Sequence, residues 1–214
     1  MDRNRRIYIV FTRTDTVLSH LIRLFSGGPY THVALSFERS LDRLYSFSRK
    51  KPNNPFVGRF MRESLREGVY ARQAKLPGLV RELELSETKY RRLSELIDRF
   101  LSNRRRYKYH YLGLLGCLFG IETDSENRFV CSSFVYYALS ECRICDLGIP
   151  VSLARPEHLL KIGGKTVYEG DLLRYRQIIK AERKFAAAAL SKDPSGRPGR
   201  DGSRVKYGGT ALIR

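Results

Sequence analysis

A chain of 214 residues with 42% apolar side chains can bury one sizeable core, so one domain is the default. Forty Lys and Arg against 22 Asp and Glu leave a formal charge of +18, which favours anionic partners (nucleic acid, acidic lipid or a polyanionic wall polymer) without choosing among them. Four cysteines, at 117, 131, 142 and 145, lack the spacing of a secreted disulfide scaffold, and the most apolar run, Leu112 to Ile121, is far shorter than the ~20 residues of a membrane-spanning helix.

Met1-Asp2-Arg3-Asn4-Arg5-Arg6 leads into a strand with no signal peptide before it, so a reduced, cytoplasmic protein without a transmembrane segment is expected. Ile7-Tyr8-Ile9-Val10-Phe11 is an apolar, β-branched and aromatic run that predicts a buried strand. Thr14-Asp15-Thr16 can cap a helix whose Val17, Leu18, Leu21, Ile22, Leu24 and Phe25 recur at three-and-four spacing, ended by Gly27-Gly28-Pro29. His20 falls on its surface or edge. Val33, Leu35 and Phe37 then alternate with Ala34 and Ser36 as a strand, and Leu44 to Ser48 read as its antiparallel partner across Glu38 to Arg43. Pro52-Asn53-Asn54-Pro55 and Gly58 mark a loop, of the kind that often borders a substrate cleft.

Val69 to Ala74 and Leu79 to Leu85 read as further strands, and Ser86 as the cap of a helix with Tyr90, Leu93, Leu96, Ile97, Phe100 and Leu101 on its apolar stripe. Arg104 to Tyr111 is cationic and tyrosine-rich. It either binds single-stranded nucleic acid by phosphate contact and stacking, or packs its tyrosines inward and leaves its arginines in water. Cys142-Arg143-Ile144-Cys145 lacks a second ligand pair at knuckle spacing and trails a helix, so it reads as structural rather than metal-binding or redox-active. Pro150 to Leu160 reads as a loop entering a short helix, and Lys165 to Tyr168 as a strand. Residues 1–181 therefore form the expected domain, and 182–214, rich in Gly, Ser, Arg and Pro, a basic disordered tail.

Two segments carry candidate chemistry. Cys131-Ser132-Ser133-Phe134-Val135, with Ala138 and Leu139 beyond, puts a thiol at the mouth of a buried helix, where unpaired N–H groups and the helix dipole favour a thiolate. His32 stands at the start of a strand. A thiol nucleophile needs such a base, because an ordinary thiol is mostly protonated at neutral pH.

These segments together resemble the circularly permuted papain-like cysteine hydrolases, relatives of the NlpC-type cell-wall peptidases and of the lecithin:retinol acyltransferases. The matching residues are His32-Val33-Ala34 and Cys131-Ser132-Ser133-Phe134-Val135. Tyr109 to Leu115 resembles the aromatic, Leu-rich segment before the nucleophile helix, and Ala154 to Leu159 the segment after it. Glu63-Ser64-Leu65-Arg66-Glu67-Gly68-Val69 is similar to the family's segment whose acidic or polar residue orients the histidine.

The resemblance implies an α+β, papain-like fold with an antiparallel sheet against the helix bearing Cys131. It implies a thiol-dependent amidase or peptidase working through a Cys131 thioester, with His32 as general base and either Glu63 or Ser46 as its orienting partner. Such covalent chemistry needs no cofactor, and the partner would be a small peptide-, amide- or acyl-containing substrate. A lipid acyl hydrolase or acyltransferase of the same fold, a non-catalytic module holding an anionic ligand, and a nucleic-acid-binding protein are the rival readings.

Overall fold

The computed structural model describes residues 4–14, 28–51, 54–123 and 125–191; the helix expected after Thr14 and most of the expected basic tail lie outside them. The chain divides into two compact units, Met1–Lys180 and Ala181–Arg214, and the sheet belongs to the first. Its strands are β1 (Arg5–Thr12), β2 (His32–Ser36), β3 (Leu44–Lys51), β4 (Asn54–Glu63), β5 (Pro77–Leu85), β6 (Lys108–Tyr109), β7 (Arg128–Phe129) and β8 (Lys165–Asp171). They form one eight-stranded sheet in the order β7-β6-β4-β3-β2-β1-β5-β8. Every neighbouring pair is antiparallel except β6 and β7. The helices are α1 (Glu87–Ser102), α2 (Tyr111–Phe119), α3 (Cys131–Glu141), the short α4 (Pro156–Leu159) and α5 (Leu172–Ser191), which continues into the second unit. The architecture is thus mixed α+β.

β1 reads as a continuous apolar run because both of its faces are covered. Ile7, Ile9 and Phe11 join Val33, Leu35, Tyr45, Phe47 and Phe60 beneath α1 and α3. Tyr8 and Val10 join Ala34, Leu44 and Val80 on the opposite face, under Leu65, Tyr70, Leu76, Leu172 and Tyr175. Ser86 caps α1 by accepting from the Lys89 N–H at 3.4 Å, and Leu93, Leu96, Ile97 and Phe100 are the buried stripe expected from their spacing. Phe134 of α3 meets Phe47, Phe60 and Phe100 with centroids 5.0–5.5 Å apart, which seats the start of α3 over β2 and β3.

Two expectations need correction. The stretch from Asn54 to Gly58 is not a loop but the first half of β4, and Gly58 is required there because the Tyr109 ring lies 2.8 Å from where a Cβ would stand. Val69 to Ala74 is not a strand. Gly68, at φ +62°, turns the chain into a single 3₁₀ turn over Tyr70–Arg72 that drops Tyr70 onto the sheet.

A second glycine marks a close approach. A Cβ on Gly78 would stand 2.5 Å from the Phe11 carbonyl oxygen and 2.6 Å from Leu172 Cδ1. The first obstacle is backbone within the sheet, so it cannot rotate away. Gly78→Ala is expected to cost about 1–3 kcal/mol, lowering the thermal midpoint by roughly 2–10 °C. An unchanged midpoint in calorimetry would show that β1 and β5 part there without penalty.

Candidate active site

Antiparallel pairing assembles the site from segments far apart in sequence. His32 opens β2 opposite Thr12, and Leu44 of β3 stands opposite Glu63, the last residue of β4. Side chains alternate across a strand, so Ser46 shares the face of Leu44 and Glu63. His32, Ser46 and Glu63 therefore converge at one place. The imidazole Nε2 lies 3.4 Å from Glu63 Oε1 and 3.3 Å from Ser46 Oγ. Ser46 also donates to that same carboxylate oxygen. The carboxylate and the serine are buried, whereas the imidazole side chain keeps 18% of its surface exposed.

Cys131 is the first residue of α3, and its thiol hydrogen-bonds the imidazole. The helix start is held open by Ser133, whose Oγ accepts from the Val130 N–H at 3.0 Å and donates to the Val130 carbonyl at 3.2 Å. Backbone N–H groups of Val33 and Ser132 are directed at the sulfur, two donors that suit a thiolate.

The electrostatics follow from this packing. Burial alone would raise the Cys131 pKa, but the imidazolium beside it and those N–H donors bring it below the ordinary thiol value. Burial alone would lower that of His32, yet the thiolate and then the Glu63 carboxylate raise it to about 10. Burial would likewise raise Glu63, and it is outweighed by the His32 charge and by hydrogen bonds from His32, Ser46 and Ser48. The resting state favoured by this arrangement is a thiolate–imidazolium pair with an ionised carboxylate behind it. A thiolate so held can attack a carbonyl, and an imidazolium beside it can protonate a leaving group.

Tyr70 was not legible as a site residue. Its ring centroid lies 6.3 Å from that of His32, and the side chain is 4% exposed. Its phenol stays well above the ordinary range, through burial first and then through the carboxylate of Glu63, to which it donates a hydrogen bond. No periodicity announces such a residue, because it reaches the site through a turn. Ser48, another donor to Glu63, was hidden by the plain alternation of β3.

The other histidines and cysteines have local tasks. His110 Nδ1 accepts from the Gly113 N–H at 3.1 Å and caps α2, and His158 Nδ1 accepts from the Arg155 N–H at 3.3 Å. His20 lies outside the described residues. Cys117 donates to the Ala154 carbonyl at 3.7 Å, and its thiol, pushed up to about 11 chiefly by burial, also feels the charge of Cys131. Cys142 and Cys145 are unbridged, and burial raises both thiols. Among the described residues no group of His, Cys, Asp and Glu is arranged to hold a metal ion. Tyr109 is buried and Tyr107 stacks on Phe100 at 4.0 Å, while Arg104, Arg105 and Arg106 are exposed. The 104–111 run thus packs its aromatic faces inward, which removes the stacking platform that single-stranded nucleic acid would use.

A cavity of about 460 Å³ borders the start of α3, lined by His110, Arg128, Val130, Ser133 and Ser152 among others. No family model, no curated protein and no solved structure matches the chain, so its functional reading rests on the Cys131–His32–Glu63 arrangement itself.

Proposed function

We propose that the chain is a thiol-dependent hydrolase of amides or peptides, of the permuted papain-like kind. The observation that carries this reading is a buried cysteine at a helix N-terminus, hydrogen-bonded to a histidine that is itself backed by a buried carboxylate. Cys131 Sγ adds to the substrate carbonyl, and the oxyanion is met by backbone N–H groups at the start of α3. His32, already protonated, gives its proton to the leaving amine, and the thioester forms. Water then attacks the thioester as His32 takes a proton from it, releasing the acid and the Cys131 thiolate. Glu63 holds the imidazolium, with Ser46 and Tyr70 holding Glu63.

An acyl ester is the second substrate class. It is favoured by the exposed apolar side chains of α2, the helix whose buried Cys117 lies within electrostatic reach of Cys131.

Both classes pass through the same covalent intermediate, so one assay tests the mechanism. The protein is incubated with activated acyl esters and aminoacyl anilides, and the intact mass is read after acid quench. An acyl adduct on Cys131, released by hydroxylamine and absent in Cys131→Ala, is the expected result, with turnover reduced at least ~10³-fold in that variant. Turnover that survives Cys131→Ala, or no adduct with either class, would sink the hydrolase reading.

A further inference from the structure

Away from the catalytic group, large exposed apolar side chains gather at one element. Leu112, Leu115 and Phe119 of α2 and Ile121 just beyond it are 73%, 53%, 64% and 60% exposed. Their spacing along α2 puts the first three on one helix face. Gly113, Gly116 and Cys117 are buried on the other, where a Cβ on Gly116 would stand 2.7 Å from the Ile121 carbonyl oxygen. The inner face is therefore committed to the fold, and the outer one carries an apolar patch in water, a feature that marks an interaction surface.

Charge identifies the partner. Arg104, Arg105, Arg106 and Lys108 are exposed just ahead of α2. Arg128, also exposed, pairs in register with Lys108 and stands near enough to His110, the cap of α2, to help lower its pKa after burial has done so. Against these five cations stand the exposed carboxylates of Glu122 and Glu126. The patch is a convex helix face rather than a groove, so it suits a soft apolar layer beneath negative charge.

We propose that this face docks the protein on an anionic lipid bilayer. Leu112, Leu115 and Ile121 enter the boundary between headgroups and acyl chains, and the cations at the N-terminal end of α2 meet lipid phosphates. Because the inner face of the same helix carries Cys117, docking brings the Cys131 site close to the membrane surface. The docking does not depend on the reaction, and the Cys131→Ala protein is expected to dock as the parent does.

The test is sedimentation of the full chain with vesicles of phosphatidylcholine, with and without phosphatidylglycerol. Binding to the anionic vesicles alone is expected, weakened at least about tenfold by Leu112→Gln with Leu115→Gln, since both side chains are exposed and their loss leaves the core intact. Arg105→Gln and Arg106→Gln are expected to weaken it about fivefold each at low salt. Three results would overturn the proposal. The first is no binding at any composition. The second is binding indifferent to the leucines, which would assign it to cationic charge elsewhere, the C-terminal tail included. The third is a leucine pair whose loss changes the oligomeric state or thermal midpoint while vesicle binding stays intact, which would give the face to a second copy or to the chain's own apolar segment at 17–25.

Discussion

Replacing His32 by alanine is expected to move the alkylation profile of Cys131 to higher pH, from a thiol whose pKa is held below the ordinary value to one whose rate climbs tenfold per pH unit toward that value. In the parent, the imidazolium and the N–H donors of Val33 and Ser132 outweigh burial, so the Cys131 pKa lies below the ordinary thiol value. Without the imidazolium, burial is opposed only by the N–H donors of Val33 and Ser132, and the pKa moves up toward the ordinary thiol value of about 8.5. Below the ordinary thiol range the thiolate fraction then falls about tenfold for each unit by which the pKa rises. Part of that is returned by the stronger nucleophilicity of a higher-pKa thiolate, which leaves a net loss of roughly threefold for each unit. The measurement is haloacetamide alkylation against pH with peptide mass readout. The other cysteines serve as internal references, since burial holds Cys117 and Cys145 near 11. Equal profiles for parent and variant would remove the chemical basis of the hydrolase reading.

That Cys131 and His32 were legible at all has a local cause. Each opens its element, and each element has a strong period: the apolar helix after Cys131, and the alternation of Val33, Leu35 and Phe37 after His32. The pairing of Glu63 with the histidine was open at the sequence level because it depends on register, and β3 and β4 fix that register by matching Leu44 to Glu63. Once the strands are paired, Ser46 and Glu63 are not rivals for one role, for the serine donates to the carboxylate while both meet Nε2.

Tyr70 and the course of residues 54–58 depart from their local signals for the opposite reason: those signals are overridden by tertiary packing. Pro55 and Gly58 look like loop residues, yet the glycine serves a strand that must let the Tyr109 ring lie against it. Val69 and Tyr70 look like a strand, but Gly68 diverts them into a turn. Where one side chain alone sets the close contact, composition does not announce it.

Glu63→Gln separates the carboxylate's electrostatic role from its role as a spacer, because the amide keeps the shape and loses the charge. Glu63 is one of the two charges that raise His32 to about 10. The parent should show kcat/KM rising as Cys131 ionises below the ordinary thiol range and falling above about pH 10, where the imidazolium that protonates the leaving group is lost. In the variant the alkaline limb moves to lower pH and the plateau drops, with kcat/KM reduced about 10²-fold. Stability carries the same signature, with its sign set by the direction of each displacement. His32, raised in the folded state, contributes fully below its unfolded value of 6.5, and that contribution is lost as pH climbs through about 10. Glu63, depressed in the folded state, contributes fully above 4.5, and its share is lost as pH falls through its lowered value. Glu63→Gln therefore removes the acid-side share outright and weakens the alkaline one. Chemical denaturation between pH 3 and 10 should show a flatter profile than the parent. A variant that keeps the parent's activity, alkaline limb and pH–stability profile would show that Glu63 acts only through shape, and the proton relay would then have to be rebuilt around Ser46 and Tyr70.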